Sequence, residues 1–208
     1  MTLKEAVIHL AIVTAGILIA LSLEGSLTWS EHRTLVRETR QRLHEELDNN
    51  QKSIRNVLKS LGPTKTRFGH ALDLTSDLSA SGNLKEAQTL FSQGTSNVAA
   101  GVSFAFFNTA SYSTAQLTGA LALMKYAEVA RYADVYDLQT LYARMQDDAE
   151  KDLVAAAMFG RSVLGKPTTT EIEDIKRQLR LSLSGILIVE NIATKLDELY
   201  SKALKDSE

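Results

Sequence analysis

The first apolar segment of the chain, residues 6–23, is long enough to cross a membrane. As a helix rising 1.5 Å per residue it is about 27 Å long, close to the roughly 30 Å hydrocarbon core of a bilayer. Trp29, His32 and Arg33 follow where an amphipathic ring and long cations favour the headgroup layer. We therefore predict a tail at 1–5, a transmembrane anchor at 6–28, and these three residues at the membrane interface. The polar side chains within the apolar segment are His9, Thr14 and Ser22.

Two alternatives stay open for this segment. Ala20 and Ser22 are small residues at the −3 and −1 positions of a cut after Ser22, as in an export signal that is removed. Against cleavage, Lys4 is offset by Glu5, so the amino end lacks a strongly basic region, and the helical pattern continues without a break. The other alternative is a buried helix of a soluble domain.

The distribution of cations predicts the orientation in the membrane. Before the anchor the side-chain cation is Lys4, whereas several arginines follow it. Short flanks rich in Lys and Arg stay in the cytoplasm. We therefore expect a bacterial inner-membrane protein with its large C-terminal part in the cytoplasm; a periplasmic location is the alternative, since Glu24 and Glu31 precede the cations. These arginines are Arg33, Arg37, Arg40 and Arg42.

After the anchor, apolar residues recur at helical spacings of three, four and seven. The first such series continues the helix to a predicted stop at Gly62-Pro63. Shorter helices are predicted at 64–78 and 84–93. Asn50 interrupts the apolar seam, either setting the register of a coiled coil or lying at the edge of a bundle. The seam residues are Val36, Leu43, Leu47, Ile54, Val57 and Leu61.

The second half of the chain predicts three more helices. Asn108 is the expected cap of a helix that continues to Met124, and a long helix follows at 127–163. Thr170 or a neighbouring threonine caps the last helix. Residues 29–208 therefore form an all-α, antiparallel bundle of four to five helices that continues from the anchor. The last helix has the clearest seam: Ile172, Ile175, Leu179, Ser182, Ile186, Val189, Ala193, Leu196, Tyr200 and Ala203.

Composition agrees with helices and excludes several functions. The chain has two prolines and no cysteine, so disulfides and thiol chemistry are excluded. Its net charge of −2 lacks the basic excess that general nucleic-acid binding needs. The histidines form no H-E-x-x-H motif, and the glycines form no phosphate-binding loop. We predict no catalytic residue, cofactor or metal.

Aromatic residues give the remaining candidate site. Tyr132 and Tyr136 lie four residues apart on one helical face, where they border a binding groove or pack at the rim of the bundle. Phe104, Phe106 and Phe107 belong to an apolar run too short to span a bilayer. They are interpreted as core, with a ligand pocket as the alternative.

The passages "GILIALSLEGSLTWSEHR" and "TGALALMKYAEVARYADVYDLQ" resemble those of a family of uncharacterised bacterial single-pass, membrane-anchored helical proteins. The resemblance implies architecture and envelope location, and no activity. The expected function is a non-enzymatic membrane protein, held by the lipid bilayer, whose bundle binds a protein partner or forms a homo-oligomer. The alternative is a periplasm-facing sensory or ligand-binding bundle that acts through a partner.

Overall fold

A computed structural model of the protein describes residues 3–81, 103–162 and 168–205, and most of these residues are α-helical. No strand occurs among them, so the predicted all-α class is confirmed. The predicted helix at 84–93 lies outside the described residues. The elements in chain order are α1 (Leu3–Ser81), α2 (Ala110–Leu117), a 3₁₀ turn (Ala120–Leu123), α3 (Tyr126–Ser162) and α4 (Thr169–Lys205).

The central helix of the fold is α4, because it packs against both α1 and α3. It runs antiparallel to α1, as two ion pairs show. Arg55 bonds Asp197 at 2.7 Å, and Lys65, later in α1, bonds Glu190, earlier in α4, at 2.6 Å. Each pair is partly exposed and contributes little stability. The apolar seams between the helices hold the bundle together.

Helix α4 also runs antiparallel to α3. Gln139 in the first half of α3 donates to the Tyr200 hydroxyl at 2.7 Å, whereas Ser182 donates to the Asp152 carbonyl in the second half of α3 at 3.0 Å. The segment 103–124 also contacts α1, through bonds such as those from the Asn108 and Ser111 N–H groups. The three long helices therefore alternate in direction, with α4 between the other two.

The buried face of α4 is the predicted one, since all ten residues of its predicted seam are buried. Thr168 caps the helix. Its hydroxyl accepts the Glu171 N–H at 3.3 Å, and the Glu171 carboxylate accepts the Thr168 N–H at 2.6 Å, which forms a capping box. These bonds from Thr168 lower the pKa of the Glu171 carboxyl.

The predicted helix stop at Gly62-Pro63 is wrong, because α1 continues to Ser81 and includes the predicted separate helix at 64–78. A proline inside a helix removes one backbone hydrogen bond and crowds the preceding turn, at a cost of about 3 kcal/mol. Leu61 and Phe68, on either side, are fully buried. Their burial contributes about 3 to 6 kcal/mol together, enough to offset the proline.

The helix predicted to run from Asn108 to Met124 is shorter than expected. It ends at Leu117 because Gly119 adopts a left-handed conformation with φ of 74°, which closes a helix and which glycine adopts without strain. The 3₁₀ turn follows. Asn108 accepts the Ala110 N–H at 3.0 Å through its side chain, so it does bond the first turn of α2.

The predicted anchor is the amino-terminal part of α1, which is helical from Leu3. Within the described part of the chain, no helix meets the length and apolarity required of a membrane span. The side chains at 6–9, 11, 20–23 and 25–27 of the predicted anchor lie outside the described residues.

Candidate functional site

An open pocket of about 820 Å³ lies where α1 leaves the bundle. One wall is α1 itself, and the other is the segment between α2 and α3, which contributes Leu123 and Lys125. Trp29, His32 and Arg33, the predicted interface residues, all line this pocket. The structure therefore brings the three together and adds a cation that is distant in the sequence.

The cations of the pocket differ in their partners. Arg33 lies 5.3 Å from the centroid of the Trp29 ring, a cation–π contact. Arg37 lies one turn further along the same face of α1. Arg40 instead bonds both carboxylate oxygens of Glu128, at 2.7 and 2.8 Å, and this hydrogen bonding raises the pKa of Arg40. The pair joins α1 to the start of α3, so the charge of Arg40 is neutralised.

Inside the bundle, two amide side chains hold the non-helical segment 103–109. The Asn50 side chain donates to the Asn108 carbonyl at 2.8 Å and accepts the Asn108 N–H at 2.9 Å. Gln146 binds Ala105 in the same way, at 3.3 and 2.9 Å. Asn50 and Gln146 are 3% and 5% exposed, so the predicted position of Asn50 at the edge of the bundle is wrong. The amides supply the partners that buried backbone groups require.

Glu46 is a buried carboxylate that continues this polar interior. One of its oxygens accepts the Tyr136 hydroxyl, and the other accepts the Ser111 N–H at 2.7 Å. The Tyr136 ring stacks on Tyr112 with centroids 4.0 Å apart. Burial raises the pKa of Tyr136, and the bond to Glu46 raises it further. Both oxygens of Glu46 are thus used to fix α2 and α3 against α1.

The predicted aromatic site residues lie in the core. Tyr132 and Tyr136 are both buried and face the bundle interior rather than solvent. Phe104 and Phe107 pack against the core, as predicted for that run. The prediction is wrong for Phe106, which is 84% exposed because the segment is non-helical and this side chain points outward. The polar interior therefore positions chain segments against one another.

Replacing Glu46 with alanine is expected to lower the free energy of unfolding by about 2 to 6 kcal/mol. The change removes the acceptor of two buried donors, the Tyr136 hydroxyl and the Ser111 N–H, and each such loss costs about 1 to 3 kcal/mol. Thermal and urea unfolding followed by circular dichroism measure the loss. Glu45→Ala, at an exposed position one residue away, is the control and should cost under about 0.5 kcal/mol. Equal losses in both variants would contradict a specific role for Glu46.

Two aspartates that lie among other acidic residues in the sequence form ion pairs with lysines of their own helices. Asp48 bonds Lys52 at 2.6 Å, and Asp148 bonds Lys151 at 2.9 Å. Among the residues that the structure describes, no three His, Asp or Glu side chains are grouped as ligands for a metal ion. These carboxylates therefore belong to the solvated helix surfaces.

The open pocket and the polar interior of the bundle both contain residues that were not predicted from the sequence. Lys125 and Leu123 reach the pocket only through the turn that follows Gly119. Gln146 holds Ala105 from a buried position next to an apolar residue. The sequence did contain a signal for Gln146, because an amide at a seam position of a helix is unusual.

No protein-family model matches the chain, and comparisons with curated proteins and with solved structures find no match either.

Proposed function

We propose that this protein is a bacterial single-pass inner-membrane protein whose helical bundle binds another protein or a second copy of itself. The observation that carries the proposal is the continuity of α1 from Leu3 to Ser81. One end of this helix presents apolar side chains to its surroundings, and the other end forms a core seam of the bundle. A single continuous helix therefore links this exposed apolar segment to the folded domain.

The exposed end of α1 supports contact with lipid. Its described large apolar side chains are 55% to 68% exposed. Contiguous apolar surface of this kind is rare on monomeric soluble proteins and marks membrane or protein contacts. A bilayer solvates such side chains all around the helix, whereas a protein partner covers one face. The side chains are Leu10, Ile12, Val13, Ile17, Leu18 and Ile19.

Extraction of membranes with alkaline carbonate, followed by ultracentrifugation, tests the anchor in the full chain. A spanning helix stays in the pellet, because carbonate removes proteins held by ionic contacts alone. Recovery of the chain in the supernatant would overturn the anchor. An amino terminus that begins at Leu23 in the mature protein would identify a cleaved signal instead.

The outward face of α4 supports an interaction with protein. Leu181, Leu187 and Ile188 are 48% to 50% exposed on a helix whose opposite face is buried against α1 and α3. Ser184, a small exposed residue, lies between them. We name these four residues the α4 strip. An apolar strip around a small residue lets another helix approach closely.

Crosslinking through a cysteine at Ser184 is expected to trap a dimer if the α4 strip joins two copies. The chain contains no cysteine, so Ser184→Cys introduces a single thiol. The readout is a disulfide-linked dimer in oxidised membranes. Asn56→Cys, exposed on α1, is the control and should stay monomeric. Two results would contradict a protein interaction through the α4 strip. One is equal crosslinking of the two variants. The other is a detergent-extracted particle that contains one copy of the chain and lipid alone.

The cations beyond the anchor support a cytoplasmic location for the bundle. Arg33 and Arg37 are exposed on α1 within about 12 Å of Trp29, close to the membrane end of the helix. The Ser184→Cys variant reports the orientation as well. A membrane-impermeant maleimide should label it only after spheroplasts are lysed. Labelling of intact spheroplasts would place the bundle in the periplasm.

A further inference from the structure

We propose that the pocket formed by Trp29, Arg33, Arg37, Leu123 and Lys125 binds the headgroup phosphates of anionic phospholipids in the membrane leaflet from which the bundle extends. This inference rests on the proposed anchor, and it adds a lipid class and a binding site. The ligand chemistry is a phosphodiester attached to a hydrophobic tail. We call these five residues the headgroup pocket.

The charges around the headgroup pocket are segregated. At 100° per residue, Arg33 and Arg37 share one face of α1, whereas Glu31 and Glu38 fall on the opposite face. Lys125 approaches from the segment before α3. Among the described residues, none of these three cations has a carboxylate partner within ion-pair distance. In the part of the chain that the structure describes, these three cations are therefore left without a paired carboxylate, unlike Arg40, which is paired with Glu128.

Apolar side chains surround these cations. Leu117 and Tyr126, which flank the turn that contributes Lys125, are 89% and 88% exposed. Leu123 and Trp29 are exposed beside the cations in the pocket wall. Apolar side chains next to exposed cations match the boundary between headgroups and acyl chains, where aromatic rings and snorkelling cations are stabilised. A soluble phosphate has no tail to contact these side chains.

The position along α1 agrees with this assignment. Arg33 and Arg37 lie about 6 and 12 Å beyond Trp29 along the helix axis. The headgroup layer of each leaflet is roughly 5 to 8 Å thick. A lipid phosphate near the level of Trp29 is thus within reach of the long side chain of Arg33, and Arg37 and Lys125 line the side toward the bundle. The cytoplasmic leaflet is the one in which anionic lipids attract such segments.

Trp29 is the single tryptophan of the chain and reports on the lipids beside it. The full chain is reconstituted into phosphatidylcholine vesicles that contain a minor fraction of phosphatidylglycerol. Bromine quenches tryptophan fluorescence on contact. In one sample the phosphatidylglycerol is brominated, in the other the phosphatidylcholine is, and the total bromine content of the two samples is equal. We expect the anionic lipid to be enriched beside Trp29 by at least about fivefold, the gain that a single cation gives at an anionic surface.

The variants separate charge from fold. Arg33→Gln with Arg37→Gln should lower the enrichment severalfold, to what Lys125 alone supports, whereas Arg33→Lys with Arg37→Lys should retain most of it, because phosphate attraction depends on charge. Arg177→Gln with Arg180→Gln removes two exposed arginines from α4 at the far end of the bundle and should change nothing. High salt should reduce the enrichment of the wild type, since exposed charges are screened.

Three outcomes overturn the assignment. Equal quenching by the two brominated lipids leaves the anchor intact and removes headgroup selection. Quenching by neither lipid means that Trp29 is not at a membrane, and the proposed anchor fails with the pocket. Loss of the enrichment when inorganic phosphate replaces chloride at constant ionic strength identifies a soluble anion as the ligand.

Discussion

Replacing Val13 and Ile17 with aspartate is expected to move the chain from the carbonate-resistant membrane pellet to the supernatant. Both side chains are exposed on α1, near the middle of the predicted anchor. An aspartate at the centre of a spanning helix costs about 2.5 to 3.5 kcal/mol, so the pair costs about 5 to 7 kcal/mol, and the apolar contribution of Val13 and Ile17 is lost as well. The measurement is the fraction of the chain that stays in the pellet after carbonate washing, for the variant and for the wild type.

The control for this experiment is Asn56→Asp with Thr66→Asp. These positions are exposed on the same helix, within the bundle, so the control adds equal charge outside the anchor. We expect it to stay in the pellet. Retention of the Val13→Asp, Ile17→Asp chain in the pellet, with unchanged circular dichroism, would show that another part of the molecule holds it at the membrane.

The buried seam of α4 was predictable because the helical spacing of its apolar residues alone determines which face is buried. Its apolar residues recur at three and four, from Ile172 to Ala203, and the helix lies between two others, so one stripe is buried along its whole length. The stop predicted at Pro63 failed for the opposite reason. A local preference of about 3 kcal/mol against proline competed there with packing of Leu61 and Phe68, and the sequence does not show that packing.

The interior of α3 shows how the polar part of the site was missed. Leu138 and Met145 are apolar, so hydrophobicity alone places them on the buried face of α3. In the structure Gln139 and Gln146 are more deeply buried than Leu138 and Met145. The buried positions of α3 therefore follow the regular helical spacing rather than the hydrophobicity of each residue. Gln146 bonds the backbone of Ala105, a partner 41 residues away. A buried amide at a seam position indicates that it has a partner, although it does not identify that partner.

The headgroup pocket was half predictable. Trp29, His32 and Arg33 are adjacent in the sequence, and the end of an apolar segment marks them as interface residues. Lys125 joins them because Arg40 bonds Glu128 and brings the start of α3 against α1. This contact spans 88 positions and depends on the packing of the whole bundle. Local patterns predict the membrane-facing half of the pocket, and tertiary structure supplies the rest.

Stability is expected to fall steeply as the pH rises above about 10. Burial raises the pKa of the hydroxyls of Tyr136, Tyr142 and Tyr200 above the usual value near 10. Because the folded chain keeps these phenols protonated while the unfolded chain ionises them, their stabilising contribution is intact below pH 10 and declines above it. Three such groups lower the free energy of unfolding by about 4 kcal/mol per pH unit, a large part of a typical stability of about 5 to 15 kcal/mol.

Tyr142→Phe tests this dependence without disturbing the fold at neutral pH. The Tyr142 hydroxyl has no hydrogen-bond partner among the described residues, and phenylalanine preserves the edge contact with the Phe107 ring, 5.3 Å away. We expect unchanged or slightly higher stability at pH 7. The loss above pH 10 should shrink by about 1.4 kcal/mol per pH unit, the contribution of one phenol. Urea unfolding at several alkaline pH values, with tyrosinate absorbance, measures both quantities. Ionisation of all tyrosines before unfolding begins would show that the core does not shield these hydroxyls.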